Sequence, residues 1–172
     1  HIKSVHDACQ LPLVLYNVPS RTGYDMPNYL IKKLSLLPRV SALKDATADL
    51  TRVKQIKEMC DLFLLSGDDE TTADFLKLGG DGMISVTANV LPYTVSQIYQ
   101  LNKIENYTEM HTIARKLAKL NTFLFSETNP IPVKWMLFKM GIIQNAIRLP
   151  LVELDKSYHD EVLSEMIKLG LI

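Results

Sequence analysis

Short apolar runs alternate with helical periodicities along the first half of the chain. Leu13-Val14-Leu15-Tyr16-Asn17-Val18 is rich in branched residues and lies between Pro12 and the turn formers Pro19-Ser20-Arg21-Thr22-Gly23, which predicts a buried strand. Leu30, Ile31, Leu34 and Leu37 then recur at helical spacing behind Pro27, a residue suited to a first helical turn. The unit repeats, with a strand over 40–44 (Val-Ser-Ala-Leu-Lys) and a helix over 49–60 whose Leu50, Val53, Ile56 and Met59 share one face. A third strand over 62–66 ends at Gly67-Asp68-Asp69, a short helix over 70–78 stops at Gly79-Gly80, and residues 82–86 predict a fourth strand. Three consecutive strand-helix units are the signature of right-handed crossovers in a parallel sheet, with strands buried on both faces. From Pro92 onward only helices are predicted, over 92–103, 107–125, 133–140 and 158–169, interrupted by Asn129-Pro130-Ile131-Pro132 and Leu149-Pro150. No low-complexity linker separates this tail, so it is expected to pack on the α/β part as one unit. The opening residues, 1–8, lack an initiator Met and look like the end of a helix already under way, so the chain is expected to be a fragment.

Composition narrows the classes. A chain of 172 residues with 47% hydrophobic positions can bury one sizeable core. Nineteen Lys and Arg balance nineteen Asp and Glu, so the cationic field of a phosphate-backbone binder is absent and nucleic acid is not expected as a partner. Cys9, Cys60 and the four histidines have no metal-ligand or disulfide spacing, and no metal is assigned. The longest apolar runs, such as Leu62-Phe63-Leu64-Leu65, fall far short of the roughly 20 residues of a membrane helix, and no signal peptide heads the chain. No membrane partner and a cytoplasmic location are expected.

Four parallel strands fit either an open sheet or half of an eight-stranded barrel, and both place chemistry at the carboxyl ends of the strands. Lys44 ends the second strand, where partial burial favours the neutral amine that attacks a carbonyl to form a Schiff base; its position alone fits equally a lysine reaching out to solvent. Tyr16 ends the first strand in the same way, as a proton relay or as a core tyrosine. Arg21 follows in the turn, either to clamp a carboxylate through two hydrogen bonds or as a surface cation. Gly67 and Gly82 permit close approach of a ligand to the backbone, and each also serves as a simple turn glycine. Gly79-Gly80-Asp81-Gly82 lacks the Lys and Ser/Thr of a phosphate loop and reads as a helix-to-strand turn. Asp68-Asp69-Glu70 reads as an acidic helix start, and the stripe Tyr107, Ile113, Leu117, Leu120, Leu124 as core or subunit interface.

Taken together, Tyr16-Asn17-Val18-Pro19-Ser20-Arg21-Thr22-Gly23, Lys44-Asp45-Ala46-Thr47, Leu65-Ser66-Gly67-Asp68-Asp69 and the run from Gly79 to Asn89 resemble the dihydrodipicolinate synthase family of pyruvate-dependent class I aldolases. The likeness extends from His1 to Ile172 and includes Asn129-Pro130-Ile131-Pro132-Val133-Lys134-Trp135 and Arg148-Leu149-Pro150. It implies the C-terminal half, strands five to eight, of a (β/α)8 barrel over 1–104, with a C-terminal helical region over 105–172 packed on it. It implies that Lys44 carries pyruvate as an imine, that the derived enamine adds to aspartate semialdehyde in lysine (diaminopimelate) biosynthesis, and that no cofactor is used. By the same resemblance Tyr16 is the proton relay and Arg21 binds the carboxylate of aspartate semialdehyde. Ile84 offers its backbone carbonyl near the Schiff base, and Gly67 lines the pocket. N-acetylneuraminate lyase, a sister aldolase, shares the tyrosine and lysine but not Ser-Arg-Thr-Gly, so Arg21 favours the synthase. The family chain is longer and commonly a tetramer of tight dimers. The first half of the barrel, with its paired threonines, a second tyrosine and the lysine feedback site, is missing here. The chain alone is therefore expected to be inactive; the competing expectation is a half-barrel that serves only as a binding or structural subunit.

Overall fold

Four strands, β1 (Leu13–Asn17), β2 (Val40–Asp45), β3 (Phe63–Ser66) and β4 (Gly82–Met83), pair in parallel in that order. The computed structural model describes all 172 residues, which cluster into two compact units, His1–Ser85 and Val86–Ile172. In the first unit the strands are joined through α3 (Asn28–Ser35), α4 (Thr51–Met59) and α5 (Thr72–Lys77), and α1 (Ile2–Ala8) leads into β1. The predicted strand-helix order holds. One face of the sheet supplies Leu15, Leu43 and Leu64 to a core completed by Ile31 of α3, Val53 and Ile56 of α4 and Phe75 of α5. Leu43 is fully buried, so Leu43→Ala removes packing worth about 2–5 kcal/mol.

Burial on both faces, expected of a fully covered parallel sheet, is not met, and one side stays exposed as it must in half of a barrel. Side chains alternate in β1 and β3, leaving Val14 (51%), Tyr16 (45%) and Phe63 (64%) exposed on the face opposite that core. Helices cover one side of the sheet, and the other is the side that faces the interior when such strands close into a complete barrel. The predicted fourth strand is also shorter. Its pairing ends at Ser66↔Met83, followed by one further bond from the Ile84 N–H to the Ser66 carbonyl (2.9 Å). Val86 then takes helical dihedrals and opens a 3-10 turn over Thr87–Asn89, which ends the extended backbone.

Two polar side chains explain where elements begin. The Asp81 carboxylate accepts from the Leu64 N–H (2.7 Å) and from Lys57 Nζ (2.7 Å), so the predicted helix-to-strand turn also anchors the neighbouring strand. Asp49 accepts from the Thr51 N–H (3.0 Å) and hydroxyl (2.7 Å), satisfying donors at the start of α4. The turn predicted at Pro19-Ser20-Arg21-Thr22 closes into the short helix α2 (Pro19–Thr22). It is stopped by Gly23, whose φ of 67° is the left-handed conformation that glycine adopts without a Cβ penalty.

The second unit holds α6 (Pro92–Lys103), α7 (Tyr107–Leu124), α8 (Ile131–Lys139) and α9 (His159–Lys168) around Leu120, Leu124, Trp135, Met136, Val162 and Met166. Asn106 starts α7 by accepting from the Glu109 N–H (3.3 Å) while its amide donates back to the Glu109 carboxylate (2.9 Å). Helix α8 begins two residues earlier than predicted, because Pro132 occupies its first turn, where a missing N–H costs no helical bond. No helix is long and apolar enough to cross a membrane.

Candidate active site

The register sets Tyr16 opposite Lys44 across β1 and β2, and both side chains lie on the open face of the sheet. The Lys44 ammonium sits 4.3 Å from the centroid of the Tyr16 ring, a distance at which the ring's quadrupole attracts the cation. Lys44 is half-buried and lies near the carboxyl-terminal end of β2. Gly67 follows β3 at that rim, and its N–H donates to the Asp45 carbonyl (2.7 Å). A Cβ at position 67 would lie 2.8 Å from Lys44 Cε and 2.9 Å from Ala46 Cβ. Absence of a side chain there is what gives the lysine stem its place.

Ile84 stands just beyond β4 on the same rim, 48% exposed. Arg21 lies in α2, past the end of β1, with an exposed side chain and its N–H bonded to the Val18 carbonyl (2.9 Å). The structure thus brings Tyr16, Lys44 and Gly67 into direct juxtaposition, with Arg21 and Ile84 on segments leaving the same strand ends. Asp68 turns away from ligand duty, its Oδ2 accepting from the Thr71 N–H (2.9 Å) and hydroxyl (2.6 Å) next to α5.

Behind the Tyr16–Lys44 pair lies a network that the sequence reading missed. Asn17 and Asp45, the residues after Tyr16 and Lys44, point to the opposite, helix-covered face and are buried. Asp45 Oδ2 accepts from Arg52 Nε (2.9 Å), and Oδ1 from the Thr47 N–H (3.1 Å) and Asn17 Nδ2 (3.4 Å). Asn17 Nδ2 also donates to Asp25 Oδ1 (2.8 Å), and its Oδ1 accepts from the Met26 N–H (3.0 Å). Arg52 Nη2 completes the ring by donating to the Met26 carbonyl (2.8 Å). The available signal was a polar residue directly after each candidate, at strand positions whose alternation points into the core.

The fold and this pairing define the class: part of a (β/α)8 barrel followed by a helical region, with an amine and a phenol set together at the carboxyl ends of adjacent parallel strands. Residues 1–168 match the Dihydrodipicolinate synthetase family, and the chain belongs to that family. It is 46% identical over 166 residues to the 4-hydroxy-tetrahydrodipicolinate synthase of Pseudoalteromonas atlantica, covering 94% of this chain and 57% of that protein. Against the synthase of Azoarcus sp. it is 42% identical, covering 99% of this chain and 59% of that protein. A crystal structure of the chloride-inhibited dihydrodipicolinate synthase of Acinetobacter baumannii, complexed with pyruvate, superposes with a TM-score of 0.95 at 40% identity, over 99% of this chain and 59% of that one. The synthase of Aquifex aeolicus gives 0.95 at 32% identity over the same shares. The chain therefore spans less than two thirds of the length of these relatives and corresponds to their C-terminal part.

Proposed function

We propose that, within a complete barrel, this chain supplies the Schiff-base half of a 4-hydroxy-tetrahydrodipicolinate synthase, condensing pyruvate with aspartate semialdehyde in lysine biosynthesis. The observation that carries the reading is the Lys44–Tyr16 pair, ammonium 4.3 Å from the ring, on strand ends freed by Gly67. The names of the relatives and the pyruvate in the Acinetobacter baumannii complex support it.

Lys44 Nζ, after giving its extra proton to solvent, adds as the free amine to the ketone carbon of pyruvate, and the carbinolamine loses water to give an imine. Tyr16 delivers and recovers the protons of these steps. Loss of a methyl proton from the imine gives an enamine, whose terminal carbon bonds to the aldehyde carbon of aspartate semialdehyde as the aldehyde oxygen takes up a proton; the amino group of that substrate then adds to the imine carbon and expels the Lys44 amine, closing the ring and freeing the lysine. Arg21 holds the carboxylate of that aldehyde through its planar guanidinium, while Gly67 and the Ile84 carbonyl line the Schiff-base region. Lysine itself activates the ketone, so the step uses no cofactor. The complete enzyme is assigned as a cytoplasmic homotetramer, a dimer of dimers. The chain alone, with Val14 and Phe63 exposed on the site face, is assigned as inactive.

Borohydride trapping with pyruvate, followed by peptide mapping of the full-length protein, tests the reading. A reduced adduct on Lys44, abolished by Lys44→Ala and outcompeted by turnover with aspartate semialdehyde, is expected. A folded full-length protein that captures no pyruvate overturns it in favour of a non-catalytic subunit. Capture that is indifferent to aspartate semialdehyde and to Arg21→Ala overturns the synthase assignment in favour of a sister aldolase.

A further inference from the structure

The geometry points to Asn17 and Asp45, locked by Arg52, as positioning residues that set the approach of Tyr16 to Lys44. The inference rests on the aldolase reading of that pair. Successive strand side chains project to opposite faces, so residues 16 and 17, and likewise 44 and 45, share a stretch of backbone but not an environment. On the covered face, Asn17 and Asp45 are tied to each other (3.4 Å), to the turn at Asp25 and Met26, and through Arg52 to α4. On the open face, Tyr16 and Lys44 have no comparable frame, Tyr16 being 45% exposed. The directional bonds behind the sheet therefore fix the backbone from which the reactive side chains depart.

A purely stabilising role accounts poorly for this construction. A well-packed apolar pair often fills such a place with stability equal to that of a buried ion pair, whereas hydrogen bonds specify direction as well as contact. The Arg52 fork reaches a carboxylate on β2 and a carbonyl at Met26 at once (2.9 and 2.8 Å), which couples the end of β2 to the segment leaving β1. Asp45 also accepts from the Thr47 N–H, which shapes the loop that begins directly after the lysine strand.

The test uses the full-length protein and two variants, the near-isosteric Asp45→Asn and the amide-removing Asn17→Ser, with Asp45→Glu as the carboxylate-preserving rescue. The rate of borohydride-trappable adduct on Lys44 is measured against pyruvate concentration, per folded molecule as counted by circular dichroism and thermal melting. Misplacing reacting groups by a fraction of an ångström to an ångström lowers rates by about ten- to a hundredfold. That loss is expected in the saturated rate of imine formation for either variant, with half-saturating pyruvate moving less than about threefold and with Asp45→Glu regaining most of the rate. A lower melting temperature with an unchanged saturated rate per folded molecule in both variants overturns the positioning role and leaves the aldolase reading standing. Absence of an adduct in the unsubstituted full-length protein overturns both.

Discussion

A Cβ at position 67 would meet Lys44 Cε at 2.8 Å and the Asp45 carbonyl oxygen at 3.1 Å, so even alanine demands that either the lysine stem or the strand end give way. Strand ends held by a buried network yield less readily than a long side chain, so the lysine moves. Gly67→Ala in the full-length protein is therefore expected to slow pyruvate capture by about ten- to a hundredfold, with overpacking costing about 1–3 kcal/mol of stability; trapping kinetics and thermal melting check the two effects separately. Tyr16→Phe keeps the ring against the Lys44 ammonium and removes only the hydroxyl. Its expected effect is a loss of roughly two to four decades in imine formation with the melting temperature unchanged, and unaltered kinetics would exclude the proton-relay role. Both candidates were legible in the sequence because each closes an apolar run beside turn-forming residues. Their mutual approach was not, because it depends on a register between segments 28 positions apart.

The elements themselves followed from local patterns where those patterns were complete. Helix α6 begins and ends where predicted, since Pro92 suits its first turn and the apolar spacing runs out at Lys103. Helix α8 starts before its expected position because Pro132 acts as an initiator in the first turn rather than as a breaker. The start of α4 carries a pH signature. Hydrogen bonds from the Thr51 hydroxyl and N–H hold the Asp49 carboxyl below its ordinary value of 3.8. A carboxyl depressed in the folded state stabilises above its unfolded value, and that stabilisation is lost as pH falls through the folded value. Asp49→Ala is thus expected to lower stability at neutral pH by about 1 kcal/mol, the net worth of such hydrogen bonds, and the difference from the unsubstituted protein should shrink below about pH 4. Denaturant titrations of the two proteins at pH 7 and pH 3 measure this; an equal gap at both pH values would remove the ionised Asp49 carboxylate from the account.

Over the whole molecule, the open face of the sheet dominates the expected behaviour of the 172-residue chain. Val14 and Phe63 are exposed on it beside Tyr16, and an exposed apolar sheet face is a ready surface for association. Sedimentation velocity of this chain is expected to show concentration-dependent association that Val14→Lys with Phe63→Glu reduces; a monomer at all concentrations would contradict it. Local patterns in the chain set the order of strands and helices, the parallel sheet and the core stripes, and placed Tyr16 and Lys44 one residue short of the ends of their strands, at Asn17 and Asp45, because spacing, turn chemistry and apolar periodicity are local properties. Tertiary structure alone decided which sheet face is covered, that Tyr16 and Lys44 meet, and that Asn17, Asp45 and Arg52 close a ring behind them. Those facts arise from strand register and from side chains converging across distant segments, and neither is encoded in the neighbourhood of any single residue.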